Sequence, residues 1–213
     1  MMLPKLSVHR IKDHSMVLGP GRRCVIWFHG CSLNCPGCIA YEMNRSVDAR
    51  EYSAEELSDR VFAVADIEGI TLSGGDPMDQ PLDELLKFVQ TIKSESDLSV
   101  MCYTGRTMNE LVAKQDPVID NLIGQFDLLI DGLYEHSRND GSTWRGSSNQ
   151  RIWYLSSRYQ HLQESIENQT RREIEIEVGA DNELTIAGIP PQGFMRNLSK
   201  NLASRGMQLN GHL

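Results

Sequence analysis

Nothing in the 213-residue sequence approaches the roughly 20 consecutive apolar residues that a membrane-spanning helix needs. The amino terminus lacks the apolar core of a secretory signal, so the expected compartment is the cytoplasm. Basic residues are the minority charge, 21 against 29 acidic, and the formal charge of −8 argues against nucleic acid or an anionic membrane as partner. No internal repeat or low-complexity tract is present. Cysteine is scarce and oddly placed. The five stand at positions 24, 31, 35, 38 and 102, an odd number that excludes a simple disulfide framework. Three of them crowd into "GCSLNCPGCIA" (30–40), and no fourth follows. A structural zinc knot closes on four protein ligands, often as two separated CxxC halves, and here the second half is missing. His29 ends a strand and reads as a packed side chain as readily as a ligand.

The remaining composition is ordinary for a globular protein, 40% apolar and 23% charged. The length suits one sizeable domain with a small appendage. "RCVIWFHG" (23–30) is strand-like and runs into the cysteine loop. "SAEELSDRVFAVA" (53–65) opens on a capping box, Ser53 with Glu56, and carries Leu57, Val61 and Val64 on one face. "GITLSGG" (69–75) reads as a buried strand, "PLDELLKFVQTIK" (81–93) as a helix with proline at its first position, and "LSVMCYTG" (98–105) as the next strand. Thr107 and Glu110 cap a short helix, and helical sequence resumes from Pro117 to Ile123. "FDLLIDG" (126–132) and "QRIWYL" (150–155) complete the strands.

Strands alternating with helices predict parallel βαβ units, in an open doubly wound sheet or a barrel. The last part differs. "REIEIEV" (172–178) alternates with period two, the turn "GADN" leads to "ELTIAG", and an amphipathic helix follows near 193–205. This predicts a hairpin and helix added to the core. In the parallel series the cysteine loop follows the first strand, Gly74 and Gly75 the second, Thr104 and Gly105 the third, and Asp131 and Gly132 the fourth. Carboxyl ends of parallel strands converge on one face, where ligands bind. Asp127, four residues before Asp131, reads as a solvent group at the strand edge. Met78, Met101 and Met108 read as core filler.

Thiolates suit zinc or iron–sulfur clusters. A cube-shaped 4Fe–4S cluster held by three thiolates leaves one iron open, and an open metal position marks chemistry rather than scaffolding. Cys31, Cys35 and Cys38 after one strand and "GGDP" (74–77) after the next resemble the radical S-adenosylmethionine superfamily. "CSLNCPGC", "TLSGGDPM", "YTGRT", "DLLIDG" and "WRGSSNQRI" are together similar to the activating enzymes of anaerobic ribonucleotide reductase, over roughly residues 15–155.

That resemblance implies a partial, laterally open TIM-like β/α barrel of parallel strands over 1–158. Residues 159–213 would form an extension of helix, β-hairpin and helix packed on or near it. It implies one 4Fe–4S cluster on Cys31, Cys35 and Cys38, with S-adenosylmethionine as cosubstrate. Gly74 and Gly75 would let the backbone approach the methionine amino group. Asp76 would sit near that ammonium or serve as a plain turn residue beside Pro77. Thr104 and Asp131 would contact the methionine or ribose, or else cap their strands, and Asp131 is a candidate for a bound cation. Asn149, with Arg145 and Gln150, would line the site or dock a partner. His136, Arg138 and Trp144 share a long polar stretch suited to a lid. Many superfamily members carry an aromatic where Gly37 stands, and its absence matches the reductase-activating subgroup.

The implied partner is a glycyl radical enzyme or another protein or peptide, with a reductant such as flavodoxin or ferredoxin. No side chain is nominated as acid, base or nucleophile. Cys24 and Cys102 are too few for an auxiliary cluster. Two other readings stay open: the same chemistry on a peptide or small metabolite, and a non-enzymatic zinc or electron-transfer module.

Overall fold

The computed structural model describes residues 4–40, 49–170, 172–179 and 184–207. Four parallel strands form its centre: β2 (Arg23–Phe28), β4 (Gly69–Gly74), β5 (Ser99–Tyr103) and β6 (Leu128–Asp131). Two strands extend the sheet beyond β2: β1 (Leu6–Ser15) pairs with it antiparallel, and β3 (Arg50–Tyr52) pairs antiparallel with β1. On the other side β7 (Arg151–Tyr154) pairs antiparallel with β6. The seven strands run in the order β3-β1-β2-β4-β5-β6-β7. The fold is therefore mixed α/β with a parallel-rich centre.

The helices form for local reasons. In α1 (Ala54–Phe62) Ser53 accepts from the Glu56 amide while Glu56 reaches back to the Ser53 amide, completing the expected capping box. Thr107 and Glu110 do the same for α3 (Met108–Ala113). In α2 (Leu82–Glu95) Leu85, Phe88, Val89 and Ile92 recur at helical spacing and are buried. Asp116 caps α4 (Pro117–Gln125), where proline occupies the first turn and gives up no needed donor.

All four helices bury their apolar stripes in one core. There they meet Cys24, Ile26 and Phe28 of β2, Ile70 and Leu72 of β4, Val100 and Cys102 of β5 and Leu129 of β6. The alternate residues point to the opposite face, as the two-residue period of a strand requires. On that face Val25 and Trp27 meet Leu18 and Ala187, while Met101, Leu128 and Ile130 meet Tyr159.

Arg23 is fully buried on this second face, near the amino ends of the strands. Its guanidinium donates to Thr71 Oγ1 at 2.7 Å, Ser99 Oγ at 2.9 Å and the carbonyls of Pro20, Ile70 and Ser99. Each acceptor is one that a buried cation needs in order to be tolerated there.

The extension begins after a 3₁₀ segment at Ser157–Leu162, with α5 (Gln163–Glu167), a hairpin of β8 (Ile174–Val178) and β9 (Leu184–Gly188), and α6 (Phe194–Ala203). The hairpin and last helix match expectation; the turn expected at 179–182 lies, after Gly179, outside the described residues. The hairpin docks on β1 and the loop after it. Lys12 pairs with Glu177 at 2.6 Å, Arg10 donates to Thr185 Oγ1 at 2.6 Å, and the Met16 amide donates to Glu175 at 2.7 Å. Arg172 fastens the other side, with its guanidinium on Asn139 Oδ1 and the carbonyls of Ser142, Arg145, Gly146 and Pro190.

Asp127 corrects one expectation. It is 4% exposed, not a solvent group, and its carboxylate accepts from Lys93 Nζ, the Val100 amide and the Ser156 hydroxyl. Met78 and Met101 are core residues as expected, and Met108 packs against the core.

Candidate functional site

The parallel register brings the four strand ends level. Phe28 of β2 lies beside Gly74 of β4, Leu72 beside Cys102 of β5, and Tyr103 beside Ile130 of β6. The cysteine loop, the Gly-Gly-Asp-Pro turn, the Thr104–Thr107 segment and the Asp131–Gly132 pair thus share one edge.

The cysteine loop leaves β2 through His29 and Gly30. Asn34 and Gly37 adopt positive φ, 49° and 74°, which turns the chain tightly enough to set Cys31, Cys35 and Cys38 in one compact loop. The Cys38 amide donates to the Cys35 carbonyl at 3.2 Å. All three thiols are free and partly exposed. Burial pushes the Cys31 and Cys38 thiols up, opposed by backbone amides of Leu33 and Asn34 at Cys31 and of Ala40 at Cys38. Among the described residues no three His, Cys, Asp or Glu side chains converge as a single metal ion requires. A cluster takes each thiolate on a different iron, and three thiols in one loop are the set that such a group requires. Cys24 and Cys102 are excluded as ligands by position: both lie in the helix-side core, where burial raises the Cys24 thiol to about 12 and Cys102 well above its ordinary value.

The Gly-Gly-Asp-Pro turn presses directly on the start of that loop. The Gly75 amide donates to the Phe28 carbonyl at 2.8 Å and the Asp76 amide to the Gly30 carbonyl at 3.0 Å. A Cβ on Gly75 would stand 2.0 Å from the Gly30 oxygen, and one on Gly74, whose φ is +93°, would stand 2.6 Å from the Phe28 backbone nitrogen. Close backbone packing therefore demands both glycines before any ligand is considered. Pro77 opens a 3₁₀ turn, Pro77–Asp79, that Asp76 caps through the Met78 amide. Gln80 completes the junction, accepting from the Ser7 amide and donating to the His29 carbonyl.

Asp76 is 2% exposed and fully engaged. Its oxygens accept from Met78 N, from Thr104 Oγ1 at 2.9 Å, from Gly105 N at 3.1 Å and from Arg106 Nη1 at 2.9 Å. Burial pushes its carboxyl up, against these donors and the Arg106 charge. Thr104 is thus held by Asp76 and, through its amide, by the Ile130 carbonyl. Arg106 also donates through Nη2 to Asp79 Oδ1 at 2.5 Å and to Ser32 Oγ at 3.2 Å. Asp79 in turn accepts from the Ser32 amide at 2.7 Å. Sequence reading missed Arg106, Asp79 and Gln80, although Arg106 lies in the quoted "YTGRT" and Asp79 stands three residues after Asp76.

Asp131 is buried and accepts from the Met108 amide at 2.6 Å, at the head of α3. With Asn149, Thr107, Arg151 and Trp153 it lines a cavity of about 140 Å³. Asn149 donates to the Leu133 carbonyl at 2.7 Å, and its Oδ1 is buried without a donor among the described residues. Gln150 folds the "RGSSNQ" segment by accepting from the Gly146 amide and donating to the Gly132 carbonyl. The segment therefore braces the end of β6.

His136 stands closer to the cysteines than its distance in sequence suggests. Its Nδ1 lies 3.1 Å from where a Cβ on Gly37 would be, so the imidazole fills the flank that glycine leaves open. A larger cavity, about 260 Å³, lies between the extension and the core, lined by Val17, Trp144, Ile166, Arg172 and Ile189 among others. It contains no thiol and is not where the cysteine chemistry resides.

A three-cysteine loop wired into a Gly-Gly-Asp-Pro turn at the carboxyl edge of parallel strands defines a single-cluster iron–sulfur α/β protein. Residues 17–153 match the family described as a 4Fe-4S single cluster domain. Anaerobic ribonucleoside-triphosphate reductase-activating proteins of Escherichia coli and Vibrio cholerae are each 33% identical, over 160 and 157 residues, covering 70% and 69% of this chain and 99% and 97% of theirs. That of Pasteurella multocida is 35% identical over 146 residues, 65% of this chain and 90% of its own. The chain belongs to this family of reductase-activating proteins, which are radical S-adenosylmethionine glycyl radical activases. Its cofactors are one 4Fe–4S cluster and S-adenosylmethionine. The zinc-module reading gains no support from the family.

Proposed function

We propose that this chain forms the glycyl radical of an anaerobic ribonucleotide reductase, with Cys31, Cys35 and Cys38 as the cluster ligands. The observation that carries the reading is the joining of the cysteine loop to the Gly-Gly-Asp-Pro turn through Gly75, Asp76 and Ser32, with both remaining cysteines buried elsewhere. When bound, the cluster supplies one electron that splits S-adenosylmethionine into methionine and a 5′-deoxyadenosyl radical, which takes a hydrogen atom from a glycine Cα of the partner. The protein's own task is placement and shielding. The strand-end segments at Gly74–Pro77 and Thr104 would flank the cosubstrate, while the pocket of Asp131 and Asn149 would hold its far end or a cation. A flavodoxin or ferredoxin would deliver the electron.

The sheet fits a partial barrel. Each of β4, β5 and β6 adds on the same side of its predecessor, and the crossover helices α1 to α4 lie on one face, which supports a barrel-like winding over a doubly wound one. The carboxyl edge of these strands, where the cysteine loop stands, would then be the mouth that a partner's loop enters, since the second face is filled by Val25, Met101, Leu128 and Ile130 against Leu18, Ala187 and Tyr159. The core of 1–158 and the extension of 159–213 divide the work. The extension lies beyond the region that the family covers, and it spans the second face from β1 to the loop holding His136. It would form a wall of the mouth and select the partner.

The test is anaerobic reconstitution with iron and sulfide, followed by deoxyadenosine formation and electron paramagnetic resonance of the partner. The wild type should form a glycyl radical doublet, and Cys35→Ala should lose both colour and cleavage. Deoxyadenosine without any glycyl signal would instead favour a peptide or small metabolite as substrate.

A further inference from the structure

Arg106 lies between the two loops that the proposed function brings together, and it touches both. We propose that Arg106 is a positioning residue that fixes the cysteine loop against the Gly-Gly-Asp-Pro turn and so sets the spacing across which S-adenosylmethionine is held. This rests on the functional reading above.

The geometry is a fork. One arm, Nη1, donates to Asp76 of the turn at 2.9 Å. The other, Nη2, donates to Asp79 at 2.5 Å and to the hydroxyl of Ser32, the residue after Cys31, at 3.2 Å. Asp79 extends the reach, because its second oxygen accepts the Ser32 amide at 2.7 Å. The side chains of Arg106, Asp76 and Asp79 are only 17%, 1% and 19% exposed, so these pairs are less screened than surface ion pairs. A planar guanidinium can serve two separated carboxylates and a hydroxyl at once; an ammonium is a single point charge and cannot span them equally.

The same contacts decide what Asp76 does. With four donors on its two oxygens and Arg106 as counter-charge, it acts as the hub of the junction and has no vacancy for a ligand ammonium. Cosubstrate binding needs the cluster and the glycine turn at a fixed separation, because one molecule must be gripped at both. A loop free to drift would have to be ordered again at each binding event, which weakens affinity without altering the bond-breaking step.

The experiment uses the full chain with Arg106→Ala, Arg106→Lys and Asp79→Ala. The last removes the carboxylate that holds the Ser32 amide, leaving the loop only the longer Arg106–Ser32 hydroxyl contact, and it leaves the buried Asp76 its counter-charge, so it stands even if Arg106→Ala folds poorly. In metal-free protein, hydrogen exchange of the peptide containing Ser32 should quicken about tenfold in Arg106→Ala and Asp79→Ala, the local opening that a lost tie permits. After reconstitution, iron content should stay at the wild-type level. The Michaelis constant for S-adenosylmethionine should rise about tenfold with turnover at saturation nearly unchanged, the pattern of lost uniform binding. The change that S-adenosylmethionine induces in the reduced-cluster resonance should need correspondingly more cosubstrate, and Arg106→Lys should recover part of the loss. Wild-type exchange at Ser32, or a wild-type Michaelis constant with only a lower melting temperature, would overturn the proposal. Wild-type protein that takes up no iron would sink the functional reading instead, and the exchange measurement would still decide the clamp.

Discussion

Gln192 of the extension lies with Nε2 2.7 Å from Nε2 of His136, whose other ring nitrogen sits 3.1 Å from the Tyr134 hydroxyl. Because the same ring flanks Gly37, the segment after the hairpin is connected to the cysteine loop through a single side chain.

Cutting that connection tests whether the extension belongs to the partner's path. Gln192→Ala should leave partner-free cleavage of S-adenosylmethionine intact. It should raise the partner concentration for half-maximal glycyl radical formation about fivefold, matching one hydrogen bond of about 1 kcal/mol. Titration of the partner at saturating cosubstrate reads this directly.

Arg172 is the stronger fastening. Arg172→Ala should destabilise the chain by about 2–3 kcal/mol, since a charged donor leaves several carbonyls at once. Urea unfolding followed by circular dichroism measures the loss, and limited proteolysis should cut first between 139 and 146. Arg172→Lys should recover little, because the acceptors fan out around a planar fork.

Gly75→Ala tests close packing apart from ligand chemistry. The added methyl would meet the Gly30 oxygen at 2.0 Å, a backbone atom with no rotamer to yield. A cost of about 2–3 kcal/mol is expected, together with poor iron uptake as the cysteine loop is pushed away. Melting temperature and iron per chain are the measurements. Wild-type values in both would show that the turn and the loop do not press together.

Asp127 predicts an acid sensitivity. Burial pushes its carboxyl up, but the Ser156 hydroxyl, the Val100 amide and Lys93 outweigh burial and hold it below the usual carboxylate range. A depressed folded value means that the stabilisation is fully present above the unfolded value, about 3.9, and is lost as pH falls through the folded one. Asp127→Asn should cost about 2 kcal/mol at pH 7, and the gap to wild type should narrow toward pH 3 in urea titrations.

Local rules were readable from sequence and distant partners were not. Ser53 with Glu56 and Thr107 with Glu110 announce helix starts because both members of each box lie within one turn. β1 escaped notice because His9, Arg10, Lys12, Asp13 and His14 interrupt its alternation, and two register shifts against β2 break it further. The run "QRIWYL" reads as a strand, but its antiparallel direction comes from the path of the preceding loop. Asp127 was misread because Lys93 lies 34 residues away and Ser156 29 residues away. The three cysteines and the glycine turn were legible as motifs, whereas the side chains that bind them together, Arg106, Asp79 and Gln80, come from segments whose meeting no local pattern announces.

The two outermost strands of the sheet are both short, three residues in β3 and four in β7. A border that brief offers a stray chain few unpaired amides on which to add a further strand. Brevity at both rims therefore guards the sheet against fibre-like growth, while packed side chains already cover its two faces.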